Sequence, residues 1–511
     1  EYMSRETDDL LAPDSRLPSP DSPDPPVSVL DVIASLVDSS LLVQDEAAGG
    51  GDAGLGAIRF GMLETIREFG LERLAAEDDP VAARARHAAH FLDLAVASTD
   101  GLRGGDQGMW LRQLDADHDN LRAALTWLLE RRDSEAALRL ATALWRYWEI
   151  RGYLREGTGW LERALAADGD VPAGLRASAL NSLGNLVSYL GDPVRTRTAY
   201  EESLALRREL DDREGIADSL NNLGLLATDG ADYARARALH EESLALRRAL
   251  GDRRGLALSL NNLGDLATAE GDLTRAWDLH QEALAVRREL RDLRGVAYSH
   301  NNLGAVAARR GDIETARSLL EEALNRFQEL GAKAGLAEAQ VNLGRVGLAQ
   351  GNPRQTGRAF ATALVLHAEL GDLRGVAECL EGLAAIDDGR LPAAGRVRLL
   401  GAAATLRMAI GIPVPAVDRP RLERTTDLLR RRLDRDAFAA ALDGGRLLAA
   451  EQAVAEAAQL ATVIEGLAVG DPATQTTGES LLTPRELDVL RLLADGRSDR
   501  EIAQALRQGL V

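Results

Sequence analysis

The stretch Asn-Asn-Leu-Gly begins at Asn221, Asn261 and Asn301, a step of 40 residues each time. The step continues on both sides, with NSLG from Asn181, VNLG from Val341 and EGLA from Glu381. Whole columns move with it. Leu183, Leu223, Leu263, Leu303, Leu343 and Leu383 form one, and Leu204, Leu244, Leu284, Leu324 and Leu364 another. Ala236, Ala276 and Ala316 form a column of small residues, with Thr196 and Thr356 at its ends. A chain with a fixed period of this length is a stack of like units, because one unit alone cannot bury its apolar face.

Punctuation gives the unit its shape. Gly271-Asp272, Gly311-Asp312 and Gly351-Asn352 share one column, and Gly251-Asp252 and Gly371-Asp372 a second. Glycine suits the left-handed residue that ends a helix, and Asp or Asn caps the next one. Each unit is therefore expected to be two antiparallel helices of about four turns. Gly215, Gly255, Gly295, Gly335 and Gly375 fall early in each first helix. A helical glycine costs about 1 kcal/mol relative to alanine, so its recurrence points to helices packed too closely for a side chain.

Composition agrees with a helical, core-forming chain. Of 511 residues, 45% are hydrophobic and only 4% aromatic, and the formal net charge is -20. Such a charge opposes nucleic-acid binding over the whole surface, but permits a small basic module. No apolar run approaches the roughly 18–20 residues that span a bilayer. Cys379 is the sole cysteine, which excludes an intramolecular disulfide or a Cys-rich metal site. A cytoplasmic location is expected.

The Leu-Gly pairs Leu223-Gly224 and Leu263-Gly264, with Ala236 and Ser243, then Ala276 and Ala283, resemble tetratricopeptide repeats of the long, 40-residue kind. Five units over roughly 176–375 match, and a sixth near 376–390 is degenerate. The resemblance implies a superhelical solenoid whose first helices line a concave groove. It also implies that asparagines there can grip a peptide backbone. Asn181, Asn221, Asn261 and Asn301 form one column, and Asn222, Asn262, Asn302 and Asn342 its neighbour. A carboxamide can donate to a carbonyl and accept from an N–H, so these eight are the candidate peptide-binding residues. The competing reading is that a column ties adjacent helices together, since a partly buried amide needs partners either way. The pairs Arg207-Arg208, Arg247-Arg248 and Arg287-Arg288 are read as solvated faces of the second helices.

Before the repeats, Leu30 to Ser39 reads as a helix, Leu41 to Gln44 and Ile58 to Met62 as short strands, and Glu64 to Ala76 as a helix. This order suggests a winged-helix remnant. LVDSSLLV and FGMLETIREFGLERL resemble the segment that follows the ATPase domain in LuxR-type transcriptional regulators with a tetratricopeptide sensor. RARHAAHFLDLA, DNLRAALTWLLE, WRYWEIRGYLREGTGWLERAL and RLLGAAATLRMAIGIPVP extend the likeness, which covers most of the chain from about residue 27. The ATPase itself is expected to be absent. No G-x-x-x-x-G-K-S/T occurs, and the only lysine, Lys333, lacks that setting.

After a linker-like stretch, GLAVGDPATQTTGES, comes LTPRELDVLRLLADG and then SDREIAQAL. Thr483-Pro484-Arg485-Glu486 and Ser498-Asp499-Arg500-Glu501 are both capping boxes. These stretches resemble the first two helices of a LuxR-type helix-turn-helix domain. That family's recognition helix, which reads base edges, would follow. Here the chain continues as Arg507-Gln508-Gly509-Leu510-Val511. The expectation is a truncated or frame-shifted end and impaired DNA reading, with Arg485, Arg497 and Arg500 as phosphate contacts.

Catalytic, cofactor and metal sites are not expected. His87 and His90 lack a third ligand, and DADHDN at 115–120 lacks the glycine and the terminal glutamate of a calcium loop. The sequence thus divides into a disordered lead (1–26), a winged-helix-like remnant (27–95) and a helical connector with degenerate repeats (96–175). The 40-residue repeats (176–390), a helical extension (391–465), a linker (466–481) and a partial helix-turn-helix (482–511) follow. The reading is a mostly all-α, non-enzymatic LuxR-type regulator whose repeats sense a peptide or protein, without a membrane partner. The alternative is a stand-alone repeat scaffold that binds an extended peptide and has no DNA role.

Overall fold

The computed structural model describes residues 29–45, 59–75, 80–102 and 106–466. The lead at 1–26, nearly all of the linker, and the helix-turn-helix stretch at 482–511 with Arg485, Arg497 and Arg500 lie outside the described residues. The chain divides into two compact units, Glu1–His87 and Ala88–Val511.

In the first unit a helix, Val29–Asp38, precedes two strands, Val43–Asp45 and Arg59–Gly61, and a second helix, Glu64–Ala75. The strands pair antiparallel, with Val43 opposite Gly61. The helix–strand–strand–helix order read from the sequence is therefore present. The helix Pro80–Gly101 runs past position 95, where the sequence suggested a boundary.

The second unit is built of helices, with no strand among its described residues. Four helices, Gln107–Ala116, His118–Glu130, Ser134–Arg151 and Leu154–Ala166, lead into the repeats. Leu138, Leu144, Tyr147 and Trp148 fill their core. Five helical pairs follow as the tetratricopeptide-type stack. They are Ala173–Tyr189 with Pro193–Glu209, Arg213–Asp229 with Tyr233–Leu250, Arg253–Glu270 with Leu273–Glu289, Leu293–Arg310 with Ile313–Glu329, and Lys333–Ala349 with Pro353–Glu369. The sixth first helix, Leu373–Ala384, is shorter, as its weaker pattern suggested.

The caps do what their residue types dictate. Asp212, Asp252, Asp292 and Asp372 each accept a hydrogen bond from the backbone N–H of the column glycine three residues on. Gly251, Gly271, Gly311, Gly351 and Gly371 all take positive φ. Leu223, Leu263 and Leu303 are buried, each contributing roughly 1.5–3 kcal/mol against exposure.

The early helical glycines have a specific cause. A Cβ on Gly255 would lie 1.9 Å from the Asp252 carboxylate and 2.6 Å from Arg247 Cδ. Gly215 and Gly295 face the same pair of groups, while Gly335 meets Phe327 and Gly375 meets His367. The Leu-Gly glycines are explained similarly: Gly224 and Gly264 lie against the rings of His240 and His280.

The helices Ala393–Ile410, Arg419–Arg432, Arg435–Arg446 and Ala450–Gly466 close the end of the stack. Leu399, Leu429, Phe438 and Ile464 join Phe360 and Leu380 in one core, which shields the last repeat's apolar face from water.

Candidate functional site

The first helices line the inside of the solenoid's curve. Arg374, at the start of the sixth first helix, meets Asp229, at the end of the second, at 3.1 Å. Three intervening repeats can be bridged in this way only if the stack bends toward those helices. A concave surface of this kind is where solenoids bind partners.

The two asparagine columns meet each other across the repeats. Asn222 donates to the side-chain oxygen of Asn181 at 3.0 Å, Asn262 to Asn221 at 2.8 Å, Asn302 to Asn261 at 3.2 Å, and Asn342 to Asn301 at 3.1 Å. Asn221, Asn261, Asn262, Asn301 and Asn342 are buried, while Asn181, Asn222 and Asn302 are half-buried. All eight candidates thus belong to one ladder that ties together the first helices of the first five repeats. At its centre Asn261 also donates to Asp265 at 2.8 Å and accepts from Arg287 at 3.2 Å. What the ladder leaves toward the groove are the half-buried amides of Asn181, Asn222 and Asn302.

The arginine pairs divide, which corrects the reading of both members as solvated. Arg207, Arg247 and Arg287 are buried. Each donates to the carbonyl of the glycine that starts the next first helix: Gly215 at 2.5 Å, Gly255 at 2.6 Å and Gly295 at 3.0 Å. Arg207 and Arg287 also reach the hydroxyls of Ser219 and Ser299, and Arg247 reaches Asp218. A buried guanidinium requires such partners. The second members behave as read: Arg208 and Arg248 are exposed and pair with Glu242 and Glu282 in the next repeat.

Around the ladder the inner face is charged. Asp265 receives hydrogen bonds from Asn261 and Asn302. Half of its side chain is accessible, yet protein surrounds the carboxyl on the concave face. This enclosure, reinforced by Glu338, raises it to about 7. Enclosure likewise raises Glu338 to about 7, against the opposing charges of Arg374 and His367. Burial and then Arg345 lower Arg309 to about 10. Arg345 pairs with Glu378 at 3.0 Å, and Arg309 and Arg345 stand 3.4 and 3.8 Å from Asp418. Leu225 and Leu258, on two of these helices, are 41% and 43% exposed, so apolar surface lies among the charges.

Sequence reasoning missed the acids and arginines of this face. Their columns, Leu225-Asp265-Ala305-Arg345 and Asp218-Leu258-Tyr298-Glu338-Glu378, do recur every 40 residues. Their side chains differ from unit to unit, so no repeated residue marks them. A separate cleft of about 430 Å³ is lined by Arg288, Arg291, Leu293, Val296, His300 and Arg326. Among the described residues no cluster of His, Cys, Asp and Glu is placed to hold a metal ion, and no helix is long and apolar enough to cross a membrane.

Residues 175–249, 231–289, 255–329 and 295–355 match the family described as Tetratricopeptide repeat. Putative HTH-type transcriptional regulators of Mycobacterium tuberculosis and Mycobacterium bovis are 33% identical to the chain over 195 residues. That match covers 37% of this chain and 21% of each relative, so the chain spans about a fifth of their length. Among solved structures, a Rap protein complexed with Competence and Sporulation Factor is 13% identical, with a TM-score of 0.45, over 81% of this chain and 99% of that one. A STAND protein with a tetratricopeptide repeat sensor from Pyrococcus horikoshii is 14% identical, with a TM-score of 0.41, over 78% of this chain and 60% of that one.

Proposed function

We propose that this chain is a non-enzymatic transcriptional regulator of the LuxR type, in which the tetratricopeptide solenoid senses a peptide or protein partner on its inner face. The observation that carries the sensing role is the composition of that face. Asp265, Glu338, Arg309, Arg345 and Arg374 stand there beside exposed Leu225 and Leu258. A surface of charges with interspersed apolar side chains suits a polypeptide better than a small apolar ligand. The regulatory role is supported by the resemblance at 482–511 to a LuxR-type helix-turn-helix and by relatives named as HTH-type regulators.

The test is transcript profiling in the source organism, comparing deletion of the gene with a chromosomal Leu258→Asp variant. The proposal expects both strains to shift the same set of transcripts. A deletion strain with an unaltered profile overturns the regulatory role. A Leu258→Asp strain that behaves as wild type, while the deletion does not, removes the inner face as the sensing surface.

A further inference from the structure

The segment Gly411–Asp418, sequence GIPVPAVD, joins two well-anchored helices. Before it, Ala393–Ile410 buries Val397, Leu399 and Leu406; after it, Arg419–Arg432 buries Leu429. The segment itself is non-helical and none of its residues is buried. It nevertheless follows the repeats one after another. Ile410 Cα lies 3.5 Å from where a side chain on Gly191 would begin, and Pro193 Cγ is 3.7 Å from the same point on Gly411. Farther on, the Ala416 N–H donates to the Tyr233 hydroxyl at 3.2 Å and the Val417 N–H to the Ala269 carbonyl at 3.3 Å. Ala269 is in the last turn of its helix, where carbonyls lack intrahelical partners. Asp418 then reaches Arg309 and Arg345. First helices of successive repeats, or the turns beside them, are thus met in order by a short segment that ends in a turn, where the Asp418 and Arg419 N–H groups donate to the Pro415 carbonyl at 3.0 and 3.2 Å.

Two features distinguish this from ordinary loop packing. Pro413 and Pro415 fix φ and stiffen the backbone, and Pro415 begins the turn that presents the Ala416 and Val417 N–H groups to the repeats. Asp418 also stands at the N-cap of Arg419–Arg432 but makes no side-chain capping bond. Aspartate is among the preferred capping residues, but this carboxylate is engaged instead by Arg309 and Arg345 of the repeats and, at 3.6 Å, by Arg421 of its own helix. Burial opposes its ionisation, yet Arg345, Arg309 and Arg421 outweigh burial and hold the carboxyl below the usual range.

We propose that Gly411–Asp418 is a tethered occupant of the partner site, displaced by a peptide whose acidic side chain takes the place of Asp418 between Arg309 and Arg345. The inference rests on the inner face being the sensing surface and names the chemistry of what it senses. Two consecutive backbone N–H groups and one carboxylate are what the site holds now, and a competing peptide offers the same set. The displaced Asp418 has a second partner available, because its carboxylate can then cap Arg419–Arg432. The segment therefore has two satisfied arrangements, which is what a switch requires.

The probe is a fluorescent peptide of the chain's own sequence, IPVPAVD, amidated at its C-terminus so that the aspartate side chain is its only carboxylate. Binding is read by anisotropy on the full chain and on Asp418→Asn. Asparagine keeps the capping ability but loses the charge, so the released arrangement is favoured with the helix intact. The expected result is at least tenfold tighter binding to Asp418→Asn than to wild type, lost again when Arg309→Gln and Arg345→Gln are added. A peptide ending in asparagine should not bind. Equal affinity for wild type and Asp418→Asn, or no binding to either, overturns the proposal.

Hydrogen exchange on the unaltered chain provides a reading independent of the variants. A saturating concentration of the peptide should speed exchange at the Ala416 and Val417 amides without opening the flanking helices. Unchanged exchange there also overturns the proposal. If these binding tests fail while Leu258→Asp still shifts transcripts, the tethered-occupant inference falls and the sensing surface stands.

Discussion

Asn262 donates a hydrogen bond of 2.8 Å to the side-chain oxygen of Asn221, one repeat and 41 residues earlier. Both side chains are buried, so this bond is part of what sets one first helix against the next. Asn262→Ala leaves the Asn221 oxygen without that donor and is expected to cost about 1–3 kcal/mol. A double-mutant cycle with Asn221→Ala, read by urea unfolding, should show coupling between the two positions. Purely additive losses would mean that the pair does not hold the repeats in register.

Gly255→Ala should be harmful, although alanine normally strengthens a helix by about 1 kcal/mol over glycine. The added methyl falls on the Asp252 carboxylate and the Arg247 side chain. Overpacking and a disturbed cap together are expected to cost about 2–3 kcal/mol. Thermal melting of the variant measures the loss, and an unchanged or higher Tm would refute the steric account of this glycine column.

His280 occupies the column that holds Tyr200, His240, Leu320 and Phe360 in other repeats, and neither of its ring nitrogens has a hydrogen-bond partner among the described residues. Burial, with Arg287, lowers the imidazole from its ordinary 6.5 to about 3. The unfolded chain therefore takes up this proton first as pH falls. The protonation penalty is absent above pH 6.5 and destabilises the folded chain progressively as pH falls from 6.5 toward 3. His280→Phe should raise stability at pH 7 by about 1–3 kcal/mol, and its advantage over wild type should be larger at pH 4.5. Melting curves at the two pH values decide this.

Arg407 and Glu381 form a bidentate pair of 2.6 and 3.0 Å, both nearly inaccessible, between the sixth first helix and the helix Ala393–Ile410. Glu381→Ala strands the guanidinium and is expected to cost about 3–5 kcal/mol. Replacing both, as Glu381→Leu with Arg407→Met, should recover most of that loss. Chemical denaturation of the single and double variants provides the comparison.

Ala231 has φ of 58°, at the turn position that Gly191, Gly271, Gly311 and Gly351 hold in other repeats. The left-handed conformation disfavours a Cβ by roughly 1–2 kcal/mol, and glycine's greater unfolded freedom offsets part of this. Ala231→Gly should therefore gain about 0.5–1 kcal/mol, visible as a higher Tm.

Local information made much of the fold legible. The 40-residue period, the Gly-Asp turns and the proline-free apolar columns locate both helices of every repeat within a few residues. The hairpin between Val43 and Gly61 was likewise foreshadowed by short apolar runs around a glycine-rich stretch. The candidate site was only partly legible. The asparagine columns stood out because they recur, but recurrence alone could not separate a ladder between helices from a grip on a ligand. Arg207 and Arg208 are neighbours of the same type in sequence, yet one is buried and the other exposed.

What the sequence by itself determined is therefore the unit: where each helix starts and stops, which residues cap it, and which face is apolar. These follow from interactions within a few residues and from the repetition of one pattern. The tertiary structure decided how the units meet. The bonds from Asn262 to Asn221, the burial of Arg247 beneath Gly255, the approach of Arg374 to Asp229 and the return of Asp418 to Arg309 depend on the angle and curvature of packed helices. That curvature is the sum of many small inter-helix contacts, so no local pattern carries it.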